Sequence, residues 1–210
     1  MGIEERKQRE KDHRRRQILE AAKEVIMLKG VKSSTMDEIA KKAELSPGTI
    51  YQYFEDKDHL YVSLGLESLQ HMLKRVTKIH QNKKLPVENK IRGFKDALYK
   101  TYKSDPRLFR DLLQFQLVTD FNSLNRDLLN RNNELFRKLL AMFADTYEEG
   151  IRQGKFKNGH NMAYADIIWG SFIGLLLVED AKNKVNPQKD FLRSTLDKAF
   201  EIFVEGIKRD

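Results

Sequence analysis

Residues 35–54 carry hydroxyl, amide and bare-backbone groups at a spacing that suits contact with a nucleic acid. The pattern predicts two helices joined by a tight turn at residues 44–46. On the second, short helix, Gly48 permits close approach of phosphate. Thr49 can contact a base edge or a thymine methyl group, and Gln52 can bond adenine through two hydrogen bonds. These groups suit the edge of a helix lying in the major groove.

Two tyrosines and a lysine extend this polar surface. Tyr51 and Tyr53 can donate to phosphate or pack on sugar. Lys57, at the start of the next helix, can meet a phosphate where the helix dipole also favours anions. A packed helical corner is the alternative, because Tyr51 could be half-buried and a single surface lysine is weak support for any specific contact.

The elements that position these groups are helical. A first helix is predicted from about Asp12 to Lys29, with apolar residues on one stripe and Gly30 as its stop. Residues before about Arg9 are expected to be disordered. Thr35 and Glu38 fit a capping box at the start of the second helix. Ser46 caps the third helix, with Pro47 at its first position.

The remainder of the chain also shows apolar residues at three- and four-residue spacing. The predicted helices are residues 57–80, 87–104, 106–120, 124–153, 162–183 and 187–208. The fold is therefore expected to be all-α, with an N-terminal three-helix helix-turn-helix DNA-binding domain in residues 1–57. A larger helical domain for ligand binding and dimerisation is expected in residues 58–210.

Composition excludes several classes of protein. The sequence has no cysteine, which excludes disulfides and thiolate metal sites. The apolar run from Ile167 to Val178 contains two glycines and is too short to span a bilayer, and the charged N-terminus is no secretory signal. No catalytic motif or metal-ligand spacing occurs. We therefore expect a cytoplasmic protein that is not an enzyme, without metal, cofactor or membrane partner.

The predicted DNA-binding domain in residues 1–57, called the head below, resembles the TetR family of transcriptional regulators. The resemblance rests on QILEAA at residues 17–22, KG at 29–30, TMDEIAKKA at 35–43 and SPGTIYQYFEDKDHL at 46–60. It implies a homodimer that binds a near-palindromic double-stranded DNA operator, usually as a repressor. A ligand entering the C-terminal domain would change the separation of the two heads. The implied DNA-contacting positions are Thr35, Ser46, Gly48, Thr49, Tyr51, Gln52, Tyr53 and Lys57.

The last two predicted helices carry apolar residues on more than one face. In the family this pair builds a four-helix bundle across a two-fold axis, which implies a homodimer here. The expected interface residues are Phe172, Leu176, Phe200 and Phe203. The alternative is that these faces pack only within one protomer.

A small hydrophobic effector is expected to bind among the aromatic residues of the larger domain. The candidate pocket residues are Phe94, Tyr102, Arg107, Phe115, Phe143, Trp169 and Phe172, although each could equally belong to the core. Residues 71–110 contain 12 lysines and arginines against 3 acidic residues. This excess suggests an anionic amphipathic effector such as a fatty acyl thioester, whose charged end could lie near Arg75, Arg92, Arg107 or Arg110.

Three alternatives to the anionic effector remain open. The basic segment could be a solvated surface. A cationic hydrophobic drug could be held by Asp166, Glu179 and Asp180, which lie beside apolar runs. A DNA-binding regulator without any small-molecule ligand is the third alternative.

Overall fold

A computed structural model of the protein describes residues 2–118, 126–186 and 190–209, without the side chains of residues 115–118. The helices in this part of the chain are α1 Ile3–Lys29, α2 Met36–Lys42, α3 Pro47–Tyr51, α4 Lys57–His80, α5 Val87–Ser104, α6 Pro106–Val118, α7 Arg126–Arg152, α8 Asn161–Val185 and α9 Leu192–Ile207. Within the same residues, β pairing is limited to an isolated bridge between Phe156 and Lys208. The prediction of an all-α fold is confirmed.

The chain divides into two compact units. The first comprises Met1–Ser68 and Asp105–Asn133, and the second comprises Leu69–Ser104 and Glu134–Asp210. The first unit thus includes α6 as well as the predicted head, and the domain boundary at residue 57 stays a prediction.

The first unit is held by one apolar cluster to which α1, α2, α3, the start of α4 and α6 all contribute. Its fully buried members are Ile18, Ala22, Ile26, Ile39, Ala40, Ile50, Phe54, Leu60 and Leu64, joined by Leu108 and Leu112 of α6. Because α3 adds only Ile50 to this cluster, its position depends on the longer helices around it.

The second unit packs α5 and α8 against α9. Its core includes Ile91, Phe94 and Leu98 of α5, Phe143 and Tyr147 of α7, Ile168, Phe172 and Leu176 of α8, and Leu196, Phe200 and Val204 of α9. The segment after α7 is tied to the C-terminal residues, since Lys157 N–H donates to Ile207 and Arg209 N–H donates to Lys155, each at 2.9 Å.

Helix α1 begins well before the predicted start at Asp12, so the expectation of disorder up to Arg9 is wrong. Glu5 lies in the first turn, and its carboxylate accepts from Gly2 N–H at 3.2 Å. Gln8 donates to Asp12 across the next turn at 2.9 Å. Extending a packed helix costs less than nucleating a new one, so charged helix-forming residues suffice without an apolar stripe.

Helix α8 has two different sides. Phe172 and Leu176 are buried in the core of the second unit, whereas Ile167 and Val178 are 47% and 51% exposed. By length and composition α8 could also cross a membrane, which the run from Ile167 to Val178 alone could not. The expected absence of a membrane partner therefore stays a prediction. The core of the second unit does not explain why Ile167 and Val178 are apolar, because they lie outside it.

Candidate nucleic-acid interface

Local hydrogen bonds and one buried side chain define the start and the tilt of α3. Ser46 is its N-cap, with the hydroxyl accepting from Thr49 N–H at 3.1 Å. Pro47 follows at the first helical position, where its fixed φ suits a helix. Ile50 is completely buried and turns the opposite side of α3 outward. Sequence alone predicted this arrangement correctly.

The turn before α3 uses a left-handed residue. Glu44 has a φ of 55°, in a region that side-chain-bearing residues seldom adopt. The next residue closes the turn, since Leu45 N–H donates to Ala40 at 2.9 Å. Gln17 of α1 donates to the carbonyl oxygen of Ala43 at 2.8 Å and satisfies the end of α2. These bonds fix the angle between α2 and α3.

The predicted contact residues on α3 differ in exposure. Ser46, Gly48 and Gln52 are exposed, and Tyr51 is 51% exposed. A Cβ atom at Gly48 would meet only the Ser46 hydroxyl oxygen, at 3.9 Å, so the backbone here is open to a close neighbour. The structure thus brings these groups together on one outward face. Their contact with DNA stays a prediction.

Thr49 and Tyr53 are half-buried, and each serves the fold as well. The Thr49 hydroxyl lies 2.8 Å from the Ser46 hydroxyl. Tyr53 packs against the apolar cluster of the first unit. Both can still present polar atoms at the edge of the outward face.

Thr35 caps α2, and Lys57 is the first residue of α4. The Thr35 hydroxyl accepts from Glu38 N–H at 3.3 Å, and the Glu38 carboxylate accepts from Thr35 N–H at 3.2 Å, so the predicted capping box is confirmed. An ion pair between Lys29 and Glu38 lowers the pKa of that carboxyl. Lys57 donates to the carbonyl oxygen of Lys32 at 3.2 Å, and partial burial lowers its pKa.

Arg15 is a positioning residue that the sequence did not reveal. Its guanidinium donates to the carbonyl oxygen of Tyr53 at 3.3 Å and to the hydroxyl of Ser63 at 2.8 Å. Its carbon Cζ also lies 4.5 Å from the centre of the Phe54 ring. Burial lowers the pKa of this arginine. Arg15 therefore connects α1 to the residues that follow α3 and to α4.

His59 completes the same corner. Its Nδ1 atom accepts from Glu55 N–H at 3.3 Å, and its ring lies edge-on to Phe54 with the centroids 5.7 Å apart. Burial, followed by the charge of Arg15, lowers the pKa of His59 below its ordinary value of 6.5. A neutral imidazole with a bare Nδ1 is therefore the form that the folded head favours.

Arg107, predicted to line an effector pocket, contacts α1 instead. It donates to the carbonyl oxygen of Met27 at 2.5 Å, and one of its nitrogens lies 3.3 Å from the position of a Cβ atom at Gly30. Nearby, Asp111 accepts from Val31 N–H at 3.4 Å. These bonds join α6 to the end of α1.

The other predicted pocket residues lie in the second unit, except Phe115, whose side chain lies outside the described residues. Phe94 and Phe143 are buried with ring centroids 4.9 Å apart. Trp169 packs edge-on against Phe136 at 5.1 Å and lies 6.3 Å from Phe172. Tyr102 is also buried. Phe94, Phe143, Phe172 and Tyr102 are core residues, whereas Trp169 is half-buried, and the role of these residues in a pocket stays a prediction.

The predicted dimer contacts require a correction. Phe172, Leu176 and Phe200 are at most 2% exposed within a single protomer, so they are core residues and offer no surface to a second one. Phe203 is half-buried and remains a candidate. An apolar pattern shows that a side chain avoids water, but it does not show which neighbour covers it.

The comparisons with known proteins agree on one family. A family model described as "Bacterial regulatory proteins, tetR family" matches residues 18–64. The fatty acid metabolism regulator protein of Bacillus subtilis (strain 168) is 28% identical over 195 residues, which are 91% of this chain and 94% of that protein.

Two solved structures share the architecture over nearly the whole chain. The transcriptional regulator FadR from Bacillus subtilis in complex with stearoyl-CoA matches with a TM-score of 0.67 and 26% identity, over 91% of this chain and 98% of that one. The fatty acid degradation regulator FadR from Bacillus halodurans shares the fold with a TM-score of 0.70 and 22% identity, over the same shares.

The chain has a TetR-family head in residues 18–64. It is a DNA-binding transcriptional regulator with a helix-turn-helix head, as the sequence predicted. The relatives named above are regulators, and none of them is named as an enzyme. In this TetR-family head, the exposed groups of α3 described above form the candidate surface for DNA.

We predict that the head loses stability in mild acid because of His59. A depressed pKa means that the fold favours the neutral imidazole, so its contribution is present above about pH 6.5 and is lost as the pH falls through the lower folded-state pKa. His59→Gln cannot titrate and should reduce the fall in melting temperature between about pH 7.5 and about pH 5.5. His13→Gln, at an exposed position of α1, is the matched control and should leave that fall unchanged. A fall of equal size in all three proteins would contradict the prediction.

Proposed function

We propose that this regulator is a repressor that binds a near-palindromic operator as a homodimer and is released by a fatty acyl thioester. The observation that carries the DNA-binding part is the outward face of α3, where Gly48, Tyr51 and Gln52 are exposed together beside a buried Ile50. A regulator of this kind acts on DNA, so we expect it in the cytoplasm.

The groups on α3 divide into two roles. Tyr51 and Lys57 suit phosphate contacts, which position a protein on DNA without reading its sequence. Gln52 has an exposed amide that can pair with adenine in the major groove. The hydroxyl of Thr35 accepts from the N–H group of Glu38, which leaves its own hydrogen free to donate to phosphate.

We predict that the two roles separate by mutation. Tyr51→Ala and Lys57→Ala should weaken binding to all duplexes by similar factors, whereas Gln52→Ala should lose about 1–3 kcal/mol of discrimination between operator and mismatched sites. Fluorescence anisotropy with a duplex selected by the full chain and a scrambled duplex measures both quantities. Equal affinity of all three variants and the wild type for the selected duplex would exclude α3 as the reading helix.

The exposed side of α8 supports the homodimer. Ile167, Gly174 and Val178 lie on one helical face that is exposed in the single chain. A Cβ atom at Gly170 or at Gly174 would meet no other atom within 4 Å, so a second helix could approach this side closely. Two recognition helices about one helical turn of DNA apart require two protomers in any case.

We predict that charge on this side separates the protomers. Ile167→Glu combined with Val178→Glu would bury two unpaired carboxylates in the proposed interface, so the protein should become monomeric and bind the selected duplex at least about tenfold more weakly. Sedimentation velocity measures the mass, and Asn158→Glu, at an exposed position outside α8, is the control. An unchanged dimer in the double variant would place the interface elsewhere.

The relatives support an acyl thioester as the effector. A Bacillus subtilis relative is named a fatty acid metabolism regulator, and a solved structure of FadR from Bacillus subtilis contains stearoyl-CoA. The aromatic core of the second unit suits an apolar chain, and exposed Arg75 and half-buried Arg92 remain candidates for the charged end. The cationic-drug alternative is weaker because Glu179 already accepts from Phe191 N–H at 2.9 Å and Asp180 pairs with Lys184 at 3.1 Å.

Helix α6 is bonded to α1 within the first unit. Its bonds from Arg107 to Met27 and from Asp111 to Val31 lie at the end of α1, the helix that also carries Arg15. A change in α6 would therefore act directly on α1.

We predict that stearoyl-CoA raises the melting temperature of the protein and releases it from the selected duplex. Ligands that bind only the native state stabilise it in proportion to the logarithm of their concentration. Free coenzyme A should do neither, because it lacks the apolar chain. If stearoyl-CoA changes neither quantity while operator binding persists, the protein is a DNA-binding regulator that does not respond to this ligand.

A further inference from the structure

The first turns of α1 form a charged arm, defined here as residues 3–16, that precedes the first fully buried residue of the helix, Ile18. The arm contains seven lysines and arginines against four carboxylates. Residues 17–57 form the rest of the predicted head, and they contain six lysines and arginines against seven carboxylates. The net positive charge of the head therefore comes from the arm, although α3 is the helix proposed to read DNA.

The arm directs part of its charge toward the side of α1 that faces α3. An α-helix turns by about 100° per residue, so Lys7, Lys11 and Arg14 lie on the same stripe as the buried Ile18 and Val25. Farther along α1 this stripe belongs to the apolar cluster that α2 and α3 also enter. In the arm it is lined by cations instead of apolar side chains, which suits a polyanion rather than protein.

A cleft connects this stripe to α3. It is open to solvent, has a volume of about 330 Å³, and is lined by Lys7, Glu10, Lys11, Gln52 and Tyr53. The two lysines thus lie beside the end of the helix that carries the candidate base-reading amide. A duplex seated on the exposed face of α3 would bring a phosphodiester backbone to this cleft.

We propose that Lys7 and Lys11 bind the phosphodiester backbone of the DNA duplex that α3 reads, so that the arm is a second part of the DNA interface. This inference rests on the proposed function. Glu10 lies in the same cleft and opposes the phosphates, so it limits the affinity. Lys7 also lies 3.6 Å from Glu4, a pair in which both side chains are strongly exposed and which contributes little.

Phosphate binding by the arm has a distinct signature. A lysine–phosphate contact releases counterions, so the affinity falls as salt rises. Each lost contact makes the negative slope of log affinity against log salt shallower by about 0.9. Because phosphates carry no sequence information, the preference for operator over other duplexes stays the same. Loss of base reading by Gln52 would instead reduce the preference for operator and leave the salt slope unchanged.

The test compares charge-matched variants of the full chain. Lys7→Gln combined with Lys11→Gln removes two cations from the cleft. Arg9→Gln combined with Arg16→Gln removes two cations from the opposite side of the same helix. Anisotropy is measured from about 50 to about 300 mM KCl with two duplexes, one selected from a random pool by the wild-type protein and one scrambled. Circular dichroism melts check that the variants stay folded.

We expect the cleft variant to bind both duplexes about tenfold more weakly near 0.15 M salt, with a reduced salt slope and an unchanged ratio between the duplexes. The double variant at Arg9 and Arg16 should lose much less affinity for both duplexes. Glu10→Gln should bind them more tightly than the wild-type protein. Equal losses in the two double variants would overturn the proposal, since only bulk charge would then matter. Failure of the proposed function looks different, because the wild-type protein would then not prefer the selected duplex over the scrambled one. If the wild-type protein bound neither duplex, both ideas would fail together.

Discussion

Helix α3 has five residues, and a helix of that length has no stability of its own in water. It exists because Ile50 enters the apolar cluster that α1, α2, α4 and α6 build, and because Phe54 follows it into the same cluster. The position of the candidate DNA contacts on α3 therefore depends on this attachment. Each inward side chain sets the direction of its outward neighbours, so a change in the core moves the candidate contacts together.

Polar bonds give this attachment its orientation. Gln17 reaches the end of α2, Arg15 reaches the carbonyl oxygen of Tyr53, and Lys57 reaches the carbonyl oxygen of Lys32. A single bond of this kind contributes about 0.5–1.5 kcal/mol, and more where one partner is charged. The bond from Lys57 also holds a flexible side chain near a single position. A phosphate that approaches it meets an ordered cation, which lowers the entropy cost of contact.

The sequence was sufficient to predict most of the helices and the outward face of the head, because spacing and capping rules apply to both. Apolar spacing placed α4 and α5, and capping residues placed the starts of α2 and α3. The role of Arg15 could not be predicted, since it is one of three consecutive arginines and only tertiary packing distinguishes them. The early start of α1 was missed because no apolar stripe marks it, although its residues favour a helix.

The same limit explains the error at α8 and α9. Both helices are apolar on more than one side, and the sequence cannot tell the side that meets its own chain from the side left for a partner. Phe172 and Leu176 were assigned to the interface, whereas the side that remains open carries Ile167 and Val178. Phe172 fills the protomer core, whereas Gly170 and Gly174 lie on the open side of α8, where a close helix approach is possible.

The basic segment of residues 71–110 has a structural role that limits its role in ligand binding. Lys90 is buried and bonds Glu149 at 2.7 Å, which ties α5 to α7, and Lys95 is buried against Asp197 of α9. Removing Glu149 would leave the buried Lys90 uncompensated, so this pair holds α5 and α7 in one arrangement, whereas Lys95 would still pair with Asp96 at 3.2 Å. Their charge is already neutralised, and an anionic effector must use other cations. Net charge counted along the sequence therefore overstates the attraction that the second unit offers to an acyl thioester, and the apolar chain should supply most of the affinity.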